Sequence, residues 1–404
     1  MKKKVRLLCI AIMLLISGGL PMHSAEAASK PTYTITPASK TYKNNMMNFS
    51  TYNTYTKHYY LLRSYLEQLE KKGGGMLVLN KGTYTISNTL YVPSNVTIKM
   101  KDGVKLVKGK NTGTSQFVAA KSMFQLIRPS KSSKKGVYGK HNGEKNISFI
   151  GEGNVTIDMK YIKDGIAIIM GHNKNIKVEN IQFKNMYSGH FIEMDASDNV
   201  LVSKNTFMDS KASQNVNKEA INLDTPDKST QGWSQTWSKF DKTANKNVTI
   251  ENNTFKNLDR AVGTHKYSEG KYHDKVVIQN NHIEKTRSDA IRVMNWSNAQ
   301  IRNNTIKNVE NGKADTRGIL ASGAINPTIT NNTFQKVGRT VQLMAWKNSG
   351  PGSDYRVTYN ELNEQNKLDL ANNVAKETAE PFIRINNQYN EFLLNTERVF
   401  LVLQ

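Results

Sequence analysis

Between residues 188 and 298 the chain repeats short runs in which apolar and polar residues alternate with a period of two. HFIEMD (190–195), VLVSKNTF (200–207), EAINLD (219–224), NVTIENNTF (247–255) and DAIRVMNW (289–296) carry the pattern most clearly. Period-two alternation is the mark of a strand with one buried face. Each copy pairs a strand ending in polar or charged residues with a second strand that closes on an asparagine. Asn180, Asn205, Asn253, Asn281, Asn304 and Asn332 give intervals of 25, 48, 28, 23 and 28 residues. A unit of roughly 23 residues with loops added to some copies is a solenoid pattern, because one such unit cannot bury its own apolar face. No helical pattern separates the strands, so the expected fold is all-β: a right-handed parallel β-helix, with an N-terminal capping helix and a small C-terminal cap. Asparagine tolerates left-handed backbone, so the asparagine column is expected to form a ladder at one corner. The N-x-T triplets are read as corner residues rather than glycosylation signals.

The flanking segments lack this pattern. Lys2, Lys3, Lys4 and Arg6 precede an apolar run from Leu7 to Leu20 and the small-x-small site Ala25-Glu26-Ala27, which predicts a signal peptide over 1–27. Its Cys9 is the only cysteine, so neither disulfides nor thiol chemistry are expected in the mature chain. An extended arm is predicted for 28–53. Tyr55 to Lys72 carries apolar residues at helical spacing and stops at Gly73-Gly74-Gly75, a helix that can cover the raw end of the first coil. Gly109 to Lys145 reads as a long basic loop beside the groove. The repeat domain is placed at 54–350 and a C-terminal cap or tail at 351–404. Beyond the signal, no stretch is long and apolar enough to span a membrane.

Aligning the strands by their inward pairs (Ile192/Met194, Ile221/Leu223, Val262/Thr264, Ile291/Val293, Ile319/Ala321, Val341/Leu343) leaves two outward columns. One is Glu193, Asn222, Gly263, Arg292, Leu320, Gln342. The other is Asp195, Asp224, His265, Met294, Ser322, Met344. Neighbours in a column stand about 4.8 Å apart at the backbone. Carboxylates, a histidine and an arginine gather on the middle coils, while the later coils turn to Leu, Ser and Met. That gradient distinguishes a functional patch from a uniformly solvated face, although an ion-pair ladder would give some of the same pattern. His190 and Glu219 start two of these strands and are placed at the groove edge. The insertion KSTQGWSQTWSKFDKT (228–243) brings Trp233 and Trp237 either over the groove as sugar-stacking surfaces or down as a packed lid.

The amphipathic helix followed by GGGMLVLNKGTYTISNTLYVPSNVTIKM (73–100) resembles the opening of the pectin-lyase-like, right-handed parallel β-helix superfamily, over roughly residues 54–350. That resemblance implies a secreted protein acting on polysaccharide. Asn222-Leu223-Asp224, Gly263-Thr264-His265 and Arg292-Val293-Met294 resemble, in part, the polygalacturonase-type hydrolases, in which an Asn-x-Asp, a paired Asp, a Gly-His-Gly and an Arg-x-Lys follow on successive coils. Here the paired-Asp coil is not recognisable, Met294 replaces the lysine and Lys266 the second glycine.

Formal net charge is +23 for the chain, and about +20 once residues 1–27, with four basic residues and one acidic, are set aside. Such a field outside a cell favours anionic partners, while the signatures of nucleic-acid binding are missing. The expectation is therefore a secreted monomer acting on an anionic, uronate-type polysaccharide, with association to the cell wall through charge. Hydrolysis would use Asp195, Asp224, Glu193 and His265 catalytically, with Arg292, Lys266, Asn222, His190, Glu219, Trp233 and Trp237 binding substrate and no metal or other cofactor required. The alternative is a lyase, with calcium held by Glu193, Asp195 and Asp224 and Arg292, Lys266 or His265 as base. A glycan-binding protein or adhesin without turnover is the reading from a different class.

Overall fold

The structure, a computed structural model, describes residues 30–380, 382–389 and 396–403; the predicted signal peptide and Cys9 lie outside them. Each full coil runs through three strands in a fixed order. In the central coil these are His190–Asp195, Asp198–Ser203 and Thr206–Lys211, and the next coil begins with Glu219–Asp224. Every strand pairs in parallel with its counterpart on the neighbouring coils, giving the right-handed parallel β-helix. On the face that begins each coil, the expected register holds throughout. Ile192 lies opposite Ile221, Ile221 opposite Val262, Val262 opposite Ile291, Ile291 opposite Ile319, and Ile319 opposite Val341.

The interior is a stack of like on like. Phe183, Phe207 and Phe255 lie nearly parallel at centroid spacings of 4.9 and 5.0 Å. Beside them runs the asparagine ladder, but it differs from expectation by one residue. The left-handed corner belongs to the preceding position, occupied by Lys204, Asn252, Asn280, Asn303 and Asn331, with φ between 55° and 57°. Asn205, Asn253, Asn281, Asn304 and Asn332 are instead buried. Each uses its amide to satisfy backbone groups that the corner leaves unpaired: the Asn253 N–H donates to Asn281 Oδ1 at 2.9 Å, and Asn281 Nδ2 donates to the Ile250 carbonyl at 2.9 Å. Asn180 takes the corner slot, with φ 58°, so Ile181 stands where the ladder residue would be and its N–H donates to Asn205 Oδ1. Buried backbone groups require such partners, which explains the column better than turn propensity does.

Three predicted segments change. The helix is found at Lys57–Lys71 and covers the first coil with Tyr60, Leu61, Leu62, Leu66 and Leu69 buried. The arm before it is not free: Thr32–Ile35 adds a parallel strand to Gly75–Leu79. The basic loop contains a strand, Ser122–Gln125, that belongs to the coil stack and pairs with Ile166–Gly171. The stack also continues past residue 350. Asn373 extends the ladder beyond Asn332, and Val374–Lys376 and Phe382–Asn386 pair in parallel with the preceding coil, so the segment after 350 is part of the solenoid as well as its cap. The helix Glu364–Ala371 precedes both of these strands. Among the described residues no helix is long and apolar enough to cross a membrane.

Replacing Asn281 by alanine leaves at least the Asn253 N–H and the Ile250 carbonyl buried without their partners, a loss of roughly 2–5 kcal/mol. Asn280→Gly, at the exposed corner beside it, is expected to be nearly neutral because glycine adopts positive φ freely. Urea titration followed by circular dichroism should therefore show a large fall in midpoint for Asn281→Ala and almost none for Asn280→Gly.

Candidate functional site

The face bearing the outward columns forms the floor of a groove of about 630 Å³. Gln125, Ile169, Glu193 and Asn222 follow one another in register across four coils, with Gly263 and Arg292 beyond them. The parallel column runs Gly171, Asp195, Asp224. The walls come from insertions, with Ala120 and Lys121 on one side and Gln231 to Gln235 on the other.

Of the candidate residues, His190, Glu193, Asn222, Asp224, His265, Lys266 and Trp233 line the groove. Asn222 Nδ2 donates to Glu193 Oε1 at 3.0 Å. Asp224 Oδ1 accepts the backbone N–H groups of His265 and Lys266 at 3.2 and 3.0 Å. His265 Nδ1 donates to Glu219 Oε2 at 3.0 Å and stands 3.9 Å from Asp224 Oδ2. The His190 ring stacks on the His265 ring at 5.4 Å, and its Nδ1–H donates to the Glu219 carbonyl. Behind the floor, Asn245 Nδ2 donates to the carbonyls of Met194 and Asp224, and the Asn245 N–H donates to His273 Nδ1, which fixes the ends of the two acid-bearing strands.

Four expected positions are corrected. Asp195 has no exposed surface and is not in the groove wall; its carboxyl oxygens find no partner of ordinary hydrogen-bond geometry among the described residues. Glu219 is likewise fully buried, beneath His265, and Arg260 Nη1 donates to its Oε1 at 3.1 Å, so it supports the groove rather than edging it. Arg292 turns away: its guanidinium donates to the carbonyls of Val293 and Leu320 and lies under the Trp346 ring, 5.5 Å from its centre. Trp237 is packed down, its Nε1–H donating to Gln125 Oε1 at 3.0 Å. The insertion is a fixed lid, since Val137 and Trp237 share a backbone hydrogen bond and Lys239 donates to the Tyr138 carbonyl. Gly171 permits this closure, for a Cβ there would stand 2.6–2.8 Å from the two tryptophan rings.

Two elements were missed from sequence. Lys218 lines the groove with its Nζ 3.4 Å from His265 Nε2. In the column two residues before the inward aliphatics, Glu219, Arg260, Asp289 and Arg317 alternate in sign: Arg260 bridges Glu219 and Asp289 at 3.1 and 3.7 Å, and Arg317 reaches Asp289 at 2.9 Å. The register that located the other columns also locates this one.

The electrostatics divide the acids. Burial raises the Glu193 carboxyl to about 8, and the Asp224 charge adds to the effect. Asp195 is pushed well above the usual carboxylate range by burial, then by Glu193 and Asp224. Burial raises Asp224 too, against the pull of His265, Asn222 and the Lys266 N–H. Burial acts on Glu219 in the same sense but loses to the His265 charge and hydrogen bond and to Arg260, which hold it well below its ordinary value. For His265, burial works against the cation and is outweighed by Asp224 and Glu219, so its pKa rises. His190 is pushed down to about 3 by burial, then by His265 and Lys218, and is neutral. Environments that drive neighbouring carboxyls apart are those that separate a proton donor from a charged partner.

His190, Glu219 and His265 place donor atoms within 4.8 Å of one another. Those atoms are already engaged, and the cations Arg260 and Lys218 stand against the cluster. Calcium asks for six to eight oxygens. Glu193 and Asp224 offer groove-facing carboxyls and Asp195 two unpartnered oxygens from below, so the protein supplies part of such a shell and water or substrate would have to complete it.

The family described as right handed beta helix region matches residues 240–395. Plasmin and fibronectin-binding protein A of Streptococcus pneumoniae is 21% identical over 364 residues, covering 81% of this chain and 49% of that protein. The chain thus spans about half the length of that curated relative. Among solved structures, the S. pneumoniae surface protein and adhesin PfbA is similar with a TM-score of 0.56 and 18% identity, covering 82% of this chain and 85% of that one. The Yersinia enterocolitica family 28 exopolygalacturonase has a TM-score of 0.52 at 13% identity, covering 81% and 63%. The right-handed β-helix is therefore shared with a surface adhesin and with a glycoside hydrolase.

Glu193, Asp195, Asp224 and His265 all have raised pKa values in the folded chain. Each then binds more protons folded than unfolded, so its contribution is complete below its unfolded pKa and is lost as pH rises through its folded one. Glu219, held low, has the opposite sign, but above the ordinary carboxylate range its contribution is already constant. Between pH 5 and 8 the contribution of this acid cluster to stability therefore falls with pH, while His190, His273 and Lys108, whose pKa values burial lowers, contribute in the opposite sense. Glu193→Gln should flatten that fall by up to about 1.4 kcal/mol per pH unit, read from thermal midpoints measured across the range.

Proposed function

We propose that the groove binds an anionic, uronate-type polysaccharide outside the cell and hydrolyses its glycosidic bonds. The observation that carries this reading is that Glu193 and Asp224 lie diagonally on adjacent coils, opposite Asn222 and Asp195 respectively, both groove-facing, with environments that treat their protons differently. Glu193, at about 8, holds its proton at neutral pH and can deliver it to a leaving glycosidic oxygen. Of the three neighbouring acids Asp224 is the one that accepts two backbone N–H bonds and faces His265, so it is best placed to carry the negative charge. It activates water or attacks the sugar directly. His265, held by the buried Glu219, places a cationic group beside Asp224, and burial together with the Asp224 charge sustains the proton on Glu193.

The polygalacturonase-type pattern bears on the choice of acids. Glu219–Asp224 pairs directly with Arg260–Gly263, leaving no coil between Asp224 and His265 for a paired Asp. A second acid has to come from the preceding coil, and Glu193 lines the groove there.

Elimination is the second reading, favoured by the unpartnered oxygens of Asp195 beside Glu193 and Asp224, which would suit a cation that also neutralises a uronate. Binding without turnover is the third, consistent with what the streptococcal relative is named for. The mature chain incubated with acidic polysaccharides, with and without calcium, should yield new reducing ends with no rise at 235 nm. Asp224→Asn should lower that rate about a thousandfold with the fold intact by circular dichroism. A calcium-dependent rise at 235 nm would replace hydrolysis by elimination, and retained affinity without product would leave binding alone.

A further inference from the structure

A second cavity, of about 300 Å³, adjoins the groove, and Ala120 and Lys121 belong to the walls of both. Its lining brings together Lys110, Lys121 and Lys163 beside Tyr161 and Ile162, with no carboxylate among the lining residues. The three lysines come from separate parts of the chain: the turn after Val104–Lys108, the residue before Ser122–Gln125, and the turn before Ile166–Gly171. All three are exposed. Lys121 is held by Asp164 at 2.9 Å, with both side chains solvated, a pairing weak enough to yield to a ligand. Lys110 and Lys163 form no ion pair among the described residues. Behind them the Lys211 ammonium lies 4.9 Å from the centre of the half-buried Tyr161 ring, adding a fourth cation.

A solvated basic surface disperses its charges to reduce repulsion. Here the folding of three separate turns brings them to one concave wall with an aromatic ring, beside the groove. The strands Ser122–Gln125 and Ile166–Gly171 are the two coils preceding His190–Asp195, in register through Ser122, Ile166 and His190. The cavity is thus displaced from the acids by one to two coil spacings, about 5–10 Å along the axis.

We propose that this cavity is an anionic subsite. It takes the carboxylate or sulfate substituent of a sugar lying beyond the one held at Glu193 and Asp224, with the lysines meeting the anion and Tyr161 the apolar face of the ring. The proposal rests on the groove being a saccharide site, and it gives that site a direction: the chain extends from the acids toward the N-terminal coils.

The test is calorimetric binding of polygalacturonate, dextran sulfate and neutral dextran to the full mature chain, at several salt concentrations. Three proteins are compared: the unaltered chain, Lys110→Ala/Lys163→Ala, and a charge-matched control, Lys256→Ala/Lys307→Ala, on a remote face. The first pair of substitutions should weaken binding of an anionic polymer about tenfold and flatten its salt dependence, while the control leaves both nearly unchanged. Binding of the carboxylated or of the sulfated polymer identifies which anion the subsite takes. Equal weakening by both variants would assign the affinity to overall charge and overturn the subsite, as would unchanged binding in Lys110→Ala/Lys163→Ala or no binding of either anionic polymer. Turnover separates this from the hydrolase reading. A chain that binds through the lysines but yields no product keeps the subsite and loses hydrolysis; one that hydrolyses with unaltered KM in the variant keeps hydrolysis and loses the subsite.

Discussion

Every feature of this protein depends on coils stacked in parallel and in register at the spacing of a β-sheet. At about 4.8 Å, identical positions on successive coils touch. For the phenylalanines that contact is favourable, giving the near-parallel stack of Phe183, Phe207 and Phe255. For the asparagines it is favourable too, because an amide can both donate and accept, so each passes the ladder on to the next. For carboxyls the same contact is repulsive, and burial removes the water that would screen it. Burial therefore raises all three, Glu193 to about 8, where it keeps its proton at neutral pH, while His265, Asn222 and the Lys266 N–H oppose the rise at Asp224. The spacing that stabilises the core adds to the shift that burial imposes on Glu193 and Asp195.

The scaffold supplies the floor of the groove, and the insertions supply its walls. A flat sheet face would leave Asp224 and Glu193 open to solvent, where their pKa values would relax. The segment carrying Trp233 and Trp237 packs over Ile127, Tyr138 and Ile169, and the loop carrying Tyr138 is tied to Glu144, which is fully buried, accepts from the Tyr138 hydroxyl and holds Arg128 at 2.6 Å. That secondary cluster makes the wall rigid and apolar, so the charges in the groove interact through less water and more strongly. Gly171 is the one residue on the floor whose small size this arrangement requires.

How much of this was legible in the sequence follows from which parts obey the repeat. The coils and their outward columns obey it, so Glu193, Asn222, Asp224 and the pairing of Ile192 with Ile221 could be read directly. The ladder was found at Asn205, Asn253, Asn281, Asn304 and Asn332, but the left-handed corner was placed on it rather than one residue earlier, since both positions carry asparagine in NNT and NNH and only Lys204-Asn205 and Asn180-Ile181 separate the two roles. Depth was not legible. Period two says that Asp195 and Arg292 point away from the core, yet neighbouring loops and the Trp346 hairpin then cover them. Ser122–Gln125 was lost in a basic segment because four residues flanked by Lys, Ser and Gly show too few alternations to register as a strand. The lysines at 110, 121 and 163 are distant in sequence and meet only because their turns stack.

The groove is asymmetric, and that asymmetry follows from the charge ladder along its edge. Glu219, Arg260, Asp289 and Arg317 alternate in sign, so each cation is neutralised within the ladder and contributes little field to the groove. On the C-terminal side Arg292 is buried beneath Trp346, its pKa lowered to about 9 by burial and then by Arg260, and the lining stops at His265 and Lys266. Toward the N-terminal coils the opposite holds: the floor passes from Glu193 to Ile169 and Gln125, and the wall carries Lys121 with only an exposed aspartate as partner. A polyanion would therefore be repelled by few groups and attracted by many on one side of the acids, and on the other side would meet a closed, internally neutralised surface. A ligand held mainly from one side positions the next bond over Glu193 and Asp224, which is what a groove with a single acid pair requires.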